Sequence, residues 1–401
     1  MMLTYDAIIC GAGPAGSIAA ASLASNGLKV ILIEKQILPR HKTCGGGMPM
    51  VIKEFIRNIL PSAFVESNVK HMRHTWLFKD PYLASINPEG SEHEISLFMV
   101  QRSVFDNELA QNAVKAGAEL KDGLSVYSIE SDGEYIQVNA KGTKDEKQLT
   151  LKARYVIGAD GANGIISKLC NLRKNRVHAA AIEIEHPHIW GGGHPELRPD
   201  IAHLEYGAIQ QGYAWVFPKA DHINVGAGIF FGSNRTSHNQ SNVRQRLQKA
   251  VFDYMDSLNV KYDPDKTSFH AHPLPLWNGK ESLQTPDGKI LLVGDAAGLV
   301  NPFFGDGIFY AIKSGLIAGK CITNNSTANY TKEIHKEFAV NLDTALMLAK
   351  FFYTGTKFCY QHGVKSKTAT RIAAKLLCGE ITFDNISEAV IKRIRESMGA
   401  I

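Results

Sequence analysis

The residues best suited to chemistry cluster near the start of the chain. There Gly11-Ala12-Gly13-Pro14-Ala15-Gly16 follows the β-branched run Asp6-Ala7-Ile8-Ile9-Cys10 and precedes an Ala-rich stretch that reaches about Asn26. Glycines at this spacing, between a strand and a helix, suit a phosphate. Gly11 allows the tight turn, Gly13 lets a pyrophosphate approach the backbone, and Gly16 lets the helix pack close to the strand. Pro14 and Ala15 open a helix whose free N–H groups face the phosphates. Gly27 ends that helix, Lys29-Val30-Ile31-Leu32-Ile33 makes a second buried strand, and Glu34 follows 23 residues after Gly11, with Lys35 beside it. A carboxylate there can accept hydrogen bonds from an adenosine ribose. An ordinary βαβ turn would account for the glycines but not for both strands and the acid, so a dinucleotide is expected. The fingerprint alone does not separate FAD from NAD.

Two later segments bear on that choice. Arg154-Tyr155-Val156-Ile157-Gly158-Ala159-Asp160-Gly161 is a strand closing on a glycine-flanked acid. Lys289-Ile290-Leu291-Leu292-Val293-Gly294-Asp295-Ala296-Ala297-Gly298 is another, followed by Asn301-Pro302-Phe303-Phe304-Gly305-Asp306-Gly307 and a helix predicted from Ile308 to Gly319. Each carboxylate can hold a ribityl or ribose hydroxyl. Gly305 to Gly307 present a further helix N-terminus to an electron-rich ring edge. Singly each could be a plain turn; in this order they are specific.

Three more elements complete the set: Lys42-Thr43-Cys44-Gly45-Gly46-Gly47, Arg102 with Phe105-Asp106, and Gly212-Tyr213-Ala214-Trp215-Val216-Phe217-Pro218-Lys219. With them the chain, from roughly Asp6 to Gly319, resembles the FAD-dependent geranylgeranyl reductase family, within the wider p-hydroxybenzoate hydroxylase superfamily. The resemblance implies an α/β fold: a Rossmann-type FAD-binding domain, an antiparallel β-sheet substrate domain forming a lipid-sized cavity over the isoalloxazine, and a C-terminal helical segment. It implies that reduced FAD delivers hydride to isolated prenyl double bonds, with Cys44 or a water supplying the proton. Cofactor contacts are expected at Gly11, Gly13, Pro14, Ala15, Gly16, Glu34, Lys35, Cys44, Gly45, Gly46, Arg102, Asp160, Gly161, Gly294, Asp295, Gly305, Gly307 and Ile308.

The residues themselves allow plainer readings. Cys44 could be a buried thiol that only packs. Arg102, expected by resemblance to reach the cofactor, could instead form a solvated pair with Asp106 or Glu108. Tyr213, Trp215 and Phe217 alternate with period two and so share one face of a strand. With Pro302 they are the expected substrate pocket, or else an aromatic core stripe. His270 and His272 are given no role, and Gly191-Gly192-Gly193 reads as a loop. No metal site is expected.

Two departures from the family pattern follow Asp160: Gly164 stands where Ser is common and Ser167 where Arg is common. They argue against direct reduction by a nicotinamide, leaving the electron donor between NAD(P)H and a ferredoxin-like protein. Asp306 stands where Glu is common. Rival activities on the same frame are a monooxygenase (hydroxylase) or a halogenase. A rival of another class is a flavin electron carrier or sensor, which needs no enclosed apolar cavity.

The 401 residues, 44% apolar and 21% charged, exclude a disordered or fibrous chain. At about 150 residues per domain they predict two or three units. The motifs divide them into a discontinuous FAD-binding domain (1–70, 100–172 and 278–325), a sheet domain (71–99 and 173–277) and a helical region (326–401), with Leu274-Pro275-Leu276 and Thr323-Asn324-Asn325-Ser326 as linkers. The six cysteines show no C-x-x-C or metal-like spacing, which fits a reducing compartment. No G-x-S-x-G, H-E-x-x-H or P-loop supports a hydrolase or kinase. The net charge is +5, and from Lys350 onward there are 9 basic and 4 acidic residues, so the whole excess lies in the tail. Tyr330 to Tyr360 has helical periodicity, and aromatics are interleaved with the lysines beyond it. That tail is expected either to close the cavity and touch anionic lipid or to cap the FAD domain. Without a signal-like N-terminus or an apolar run of about 18 residues, the protein is expected in the cytoplasm, at most peripheral to a membrane, with an isoprenoid-like apolar substrate and no nucleic-acid partner. The oligomeric state is left open.

Overall fold

The computed structural model describes residues 3–87, 96–191, 194–230, 237–377, 379–383 and 386. Gly192 and Gly193 of the triple-glycine loop lie outside them, as do the last residues of the basic tail.

The β-branched strands Leu3–Cys10, Val30–Ile33 and Ile290–Leu292 are fully apolar where they meet, and they build the centre of a seven-stranded sheet with Gln148–Gly158. Pairing among these strands is parallel, and its register sets Cys10 opposite both Ile33 and Gly158, and Gly158 opposite Leu292. Their carboxyl ends therefore finish side by side. The sheet continues through the antiparallel strands Ile136–Gly142 and Leu124–Ser131 on one side and the parallel strand Glu119–Lys121 on the other. Helix Pro14–Ser25 packs on helix Ile308–Thr323. At Gly315 of the latter, a Cβ would lie 2.3 Å from the Ala15 carbonyl oxygen, so the two helices approach backbone to backbone.

A second seven-stranded sheet runs His270–Leu276, Val177–Pro187, His222–Ile229, Gly212–Pro218, Ile201–Tyr206, His71–Trp76, Lys79–Ser85. It is antiparallel except where Ile201–Tyr206 meets His71–Trp76. Period-two alternation gives it two faces. Ala214, Val216 and Val225 pack against Leu247, Val251 and Tyr254 of helix Ser237–Ser257. The other face carries Tyr213, Trp215 and Phe217. A three-stranded antiparallel sheet of Gly47–Pro49, Leu97–Val100 and Val65–Val69 adjoins it.

Two expectations about connections need correction. Leu274-Pro275-Leu276 is not a linker: it ends the strand His270–Leu276, where Pro273 and Pro275 pair with Ala180 and His178. Proline lacks the ladder donor but is tolerated because this is an edge strand. The tail helix spans Tyr330–Thr354 and stops at Gly355 instead of continuing to Tyr360; Thr356–Cys359, a π-helical turn at Tyr360–Val364 and helix Lys367–Leu377 follow. No helix among the described residues is long and apolar enough to cross a membrane.

The sheet domain buries one carboxyl that forms no ion pair among the described residues. Glu205 is 0% exposed, accepts hydrogen bonds from Thr75 Oγ1 and from the Phe78 N–H at 2.9 Å, and burial raises its pKa to about 7. A folded-state pKa above the unfolded one gives stability that is full at low pH and is lost as pH rises through the folded value. In Glu205→Gln that loss is absent. Thermal denaturation of variant and wild type between pH 5 and 8 should show the variant gaining on the wild type by about 1.4 kcal/mol per pH unit until roughly pH 7. A constant difference across the range would show that Glu205 ionises normally.

Candidate functional site

The aligned strand ends deliver four turns to one edge of the first sheet. Gly11 has φ +116°, and a Cβ there would lie 2.3 Å from the Ala159 carbonyl oxygen. Gly16 would place a Cβ 1.9 Å from the Gly11 carbonyl oxygen, whereas at Gly13 the nearest atom is 3.8 Å away. Two glycines thus close the turn and the third leaves open backbone at the helix N-terminus, which has no side-chain cap. Glu34 is buried and accepts the Ala12 N–H at 3.0 Å and the Gln36 N–H at 3.1 Å.

Asp160 accepts the Ile166 N–H at 2.9 Å, and its Oδ1 is buried without a partner among the described residues. Burial raises its carboxyl above the ordinary range. A Cβ at Gly164 would lie 2.1 Å from the Asp160 carboxyl carbon, so the missing serine has a steric reason: Asp160 occupies its space. Ser167, in place of the family arginine, accepts a hydrogen bond from Arg176.

All four turns face one cavity of about 860 Å³. Gly11, Gly13, Pro14, Ala15, Glu34, Lys35, Cys44, Gly45, Gly46, Arg102, Asp160, Gly161, Gly294, Asp295, Gly305, Gly307 and Ile308 line it, as do Tyr213, Trp215 and Phe217. Gly16 does not; it packs the helix on the turn behind. Pro302 is not in the wall either: it is buried in its turn, and Phe303 and Phe304 line the cavity in its place.

Arg102 is buried rather than solvated. Its Nε and Nη2 donate to the two oxygens of Asp106 at 2.8 and 2.9 Å. Arg40, which the sequence reading missed, continues the chain of charge, with Nη1 3.1 Å from Asp106 Oδ2 and Nε 3.4 Å from Glu34. Arg102, Lys42 and Lys219 all lie within electrostatic range of the Cys44 sulfur. The Cys44 loop is held from both sides. Its N–H donates to Glu183 Oε1 at 2.7 Å, and Lys219 Nζ donates to the carbonyls of Gly45 and Val100, both at 2.7 Å. Burial lowers Lys219 to about 8. A buried lysine directly after the Tyr-x-Trp-x-Phe-Pro strand was the available signal for this role; Glu183 and Arg40 had none.

His272 also joins the site. Lys42 Nζ lies 2.9 Å from His272 Nε2, which is 3.7 Å from Asp295 Oδ2. Burial alone would raise the Asp295 carboxyl, but His272 and Lys42 together hold it below its ordinary value. Alternation along His270–Leu276 places His272 on the same face as Leu274, the hint that went unused. Nearby, ligand atoms of His41, Glu183 and Glu185 lie within 4.8 Å of one another. Both carboxylates are already engaged, by the Cys44 N–H and by Gln101 Nε2.

Open backbone at Gly13, a buried acceptor at Glu34 and an unpaired oxygen at Asp160 fit an extended dinucleotide. A family model described as FAD binding domain matches residues 4–323, so the cofactor is FAD and the protein is a FAD-dependent oxidoreductase. Among its relatives, geranylgeranyl diphosphate reductase of Arabidopsis thaliana is 30% identical over 79% of this chain and 65% of its own. Digeranylgeranylglycerophospholipid reductase of Methanococcus vannielii is 29% identical over 84% of this chain and 81% of its own. The chain belongs to the geranylgeranyl reductase family. Two solved structures share the fold. A geranylgeranyl bacteriochlorophyll reductase-like protein of Thermoplasma acidophilum has a TM-score of 0.73 at 23% identity, covering 98% of this chain and 96% of its own. A flavin-dependent brominase has a TM-score of 0.74 at 19% identity, covering 99% and 98%.

Gly11→Ala forces a side chain into both a disallowed φ and the Ala159 carbonyl. A left-handed non-glycine residue alone costs roughly 1–2 kcal/mol, so FAD affinity should fall at least about tenfold. Visible absorbance of the purified variant, titrated with FAD, measures this; full flavin occupancy would contradict the turn geometry.

Proposed function

We propose that this enzyme saturates carbon–carbon double bonds in the isoprenoid chain of a lipid. The observation that carries the reading is the continuity of the cavity. From the dinucleotide-binding turns it runs into a chamber walled by Met72, Leu97, Leu204, Phe303, Phe304, Phe352 and Ala374. An electron carrier needs no such chamber. Under this reading 1–70, 100–172 and 278–325 form the FAD-binding domain, 71–99 and 173–277 the substrate domain, and 326–401 the cover. FAD, when bound, supplies the hydride; its electrons come from NAD(P)H or a ferredoxin-like donor.

The chain's own residues hold the substrate and supply a proton. Tyr213 donates its O–H to the Phe304 carbonyl at 2.5 Å and stacks on Phe230, whose ring stacks in turn on Tyr353 with centroids 5.2 Å apart. These planar walls exclude water and align a long, methyl-branched apolar chain. Two acids border the space, the thiol of Cys44 and the carboxyl of Asp306. Burial raises Asp306 to about 7, and its Oδ1 has no partner among the described residues, so below that pH it keeps a proton to give.

Anaerobic incubation of the chemically reduced holoenzyme with geranylgeranyl lipids tests the reading: the flavin should reoxidise and the product gain two mass units per saturated bond. No reoxidation by any alkene, or oxygen-dependent hydroxylation or halogenation in its place, overturns it. General acids typically contribute about a hundredfold or more. Asp306→Asn should therefore slow reoxidation by that order and abolish the fall in rate expected above about pH 7. An unchanged pH profile would shift the proton to Cys44, tested by Cys44→Ser.

A further inference from the structure

The helix Lys367–Leu377 has two faces of opposite character. Ala369, Thr370, Ala373, Ala374 and Leu377 line the cavity. Lys367 and Arg371 sit one turn apart on the exposed side. Just upstream, Phe358 both lines the cavity and is 61% exposed, so the apolar chamber reaches the surface at this point. The exposed Lys357 is its neighbour, and Lys350 is exposed one helix earlier.

The uncompensated charges here are of one sign. Among the described residues, the carboxylates of this surface are already taken, Asp80 by Lys365 at 2.7 Å and Glu380 by Lys375. Among the described residues, Lys350, Lys357, Lys367 and Arg371 have no acidic partner within ion-pair distance. A chamber mouth carrying an exposed aromatic ring and ringed by unmatched cations is complementary to an anionic lipid surface: the ring enters the acyl boundary and the cations stay at the headgroups.

We propose that the segment Thr356–Leu377 docks on an anionic bilayer and that the chamber opens into it beside Phe358. The geometry stands alone, but its purpose rests on the lipid-substrate reading: with no spanning helix among the described residues, the mouth itself must meet the membrane that holds the substrate.

The test is flotation of the FAD-loaded full chain with phosphatidylcholine vesicles, with and without phosphatidylglycerol. The protein should float with the anionic vesicles at low salt, remain behind with pure phosphatidylcholine, and be released by high salt. The combined Lys350→Glu, Lys357→Glu, Lys367→Glu and Arg371→Glu variant should bind more weakly by on the order of a thousandfold or more, at about tenfold per 1.4 kcal/mol. It should still reoxidise with a detergent-dispersed alkene at the wild-type rate, because none of these four residues lines the cavity, and lose turnover only on vesicle-embedded substrate. Phe358→Ser should weaken flotation while keeping its salt sensitivity. Flotation by the quadruple variant equal to wild type, or salt-insensitive binding to neutral vesicles, overturns the proposal. So does a dimer in sedimentation that the same substitutions dissociate, which would give this face to a second copy. Failure of flotation with normal reoxidation would sink the docking surface alone, whereas normal flotation without reoxidation would sink the reductase reading alone.

Discussion

Parallel backbone pairing in the first sheet sets Cys10 against Ile33 and Gly158, and Gly158 against Leu292. Hydrogen-bond ladders of this kind allow no half-steps. A slip of one residue would turn every apolar side chain of a strand to the opposite face. The turns that follow these strands are therefore locked to one edge, and Gly11, Glu34, Asp160 and Asp295 meet there although up to 284 positions separate them in the chain. This is the switch-point geometry at which doubly wound sheets bind ligands. The second sheet matters to function because one of its faces is brought over that edge.

Charge inside the site is organised as two short chains. Glu34, Arg40, Asp106 and Arg102 alternate in sign along one wall. Lys42 and Asp295 form the other, bridged by His272, whose charged form burial disfavours. Each buried ion offsets its neighbour's desolvation, and removing one member leaves its partners uncompensated. Arg102 is anchored in this chain by Nε and Nη2, which donate to Asp106, and it also lines the cavity.

Much of the first sheet was legible because local signals agreed: β-branched runs, glycine turns, and an acid just after three of the four central strands. The aromatic alternation of Tyr213, Trp215 and Phe217 was legible for the same reason, since period two admits one geometry. What escaped was pairing across distance. Arg40 reads as a surface residue until Asp106 folds against it, and Glu183 is one of several acids until the Cys44 N–H meets it. Proline misled twice. Pro275 looked like a linker and lies in an edge strand, while Pro302 looked like a pocket residue and is buried behind Phe303 and Phe304. His272 was readable from alternation, but a histidine just before prolines is more often structural, and only its neighbours Lys42 and Asp295 distinguish it.

The segment Phe303–Phe304 is gripped from both sides. Tyr213 of the second sheet donates to the carbonyl of Phe304, and Tyr353 of the tail helix donates to the carbonyl of Phe303 at 2.9 Å. Two phenols thus rivet a loop of the first unit to the second sheet and to the tail helix. The loop leads directly into Gly305, Asp306 and Gly307, so the backbone at the cofactor end and the helix at the surface share one mechanical linkage. Displacing the tail would slacken that loop, and a ligand tightening the loop would in turn hold the tail down.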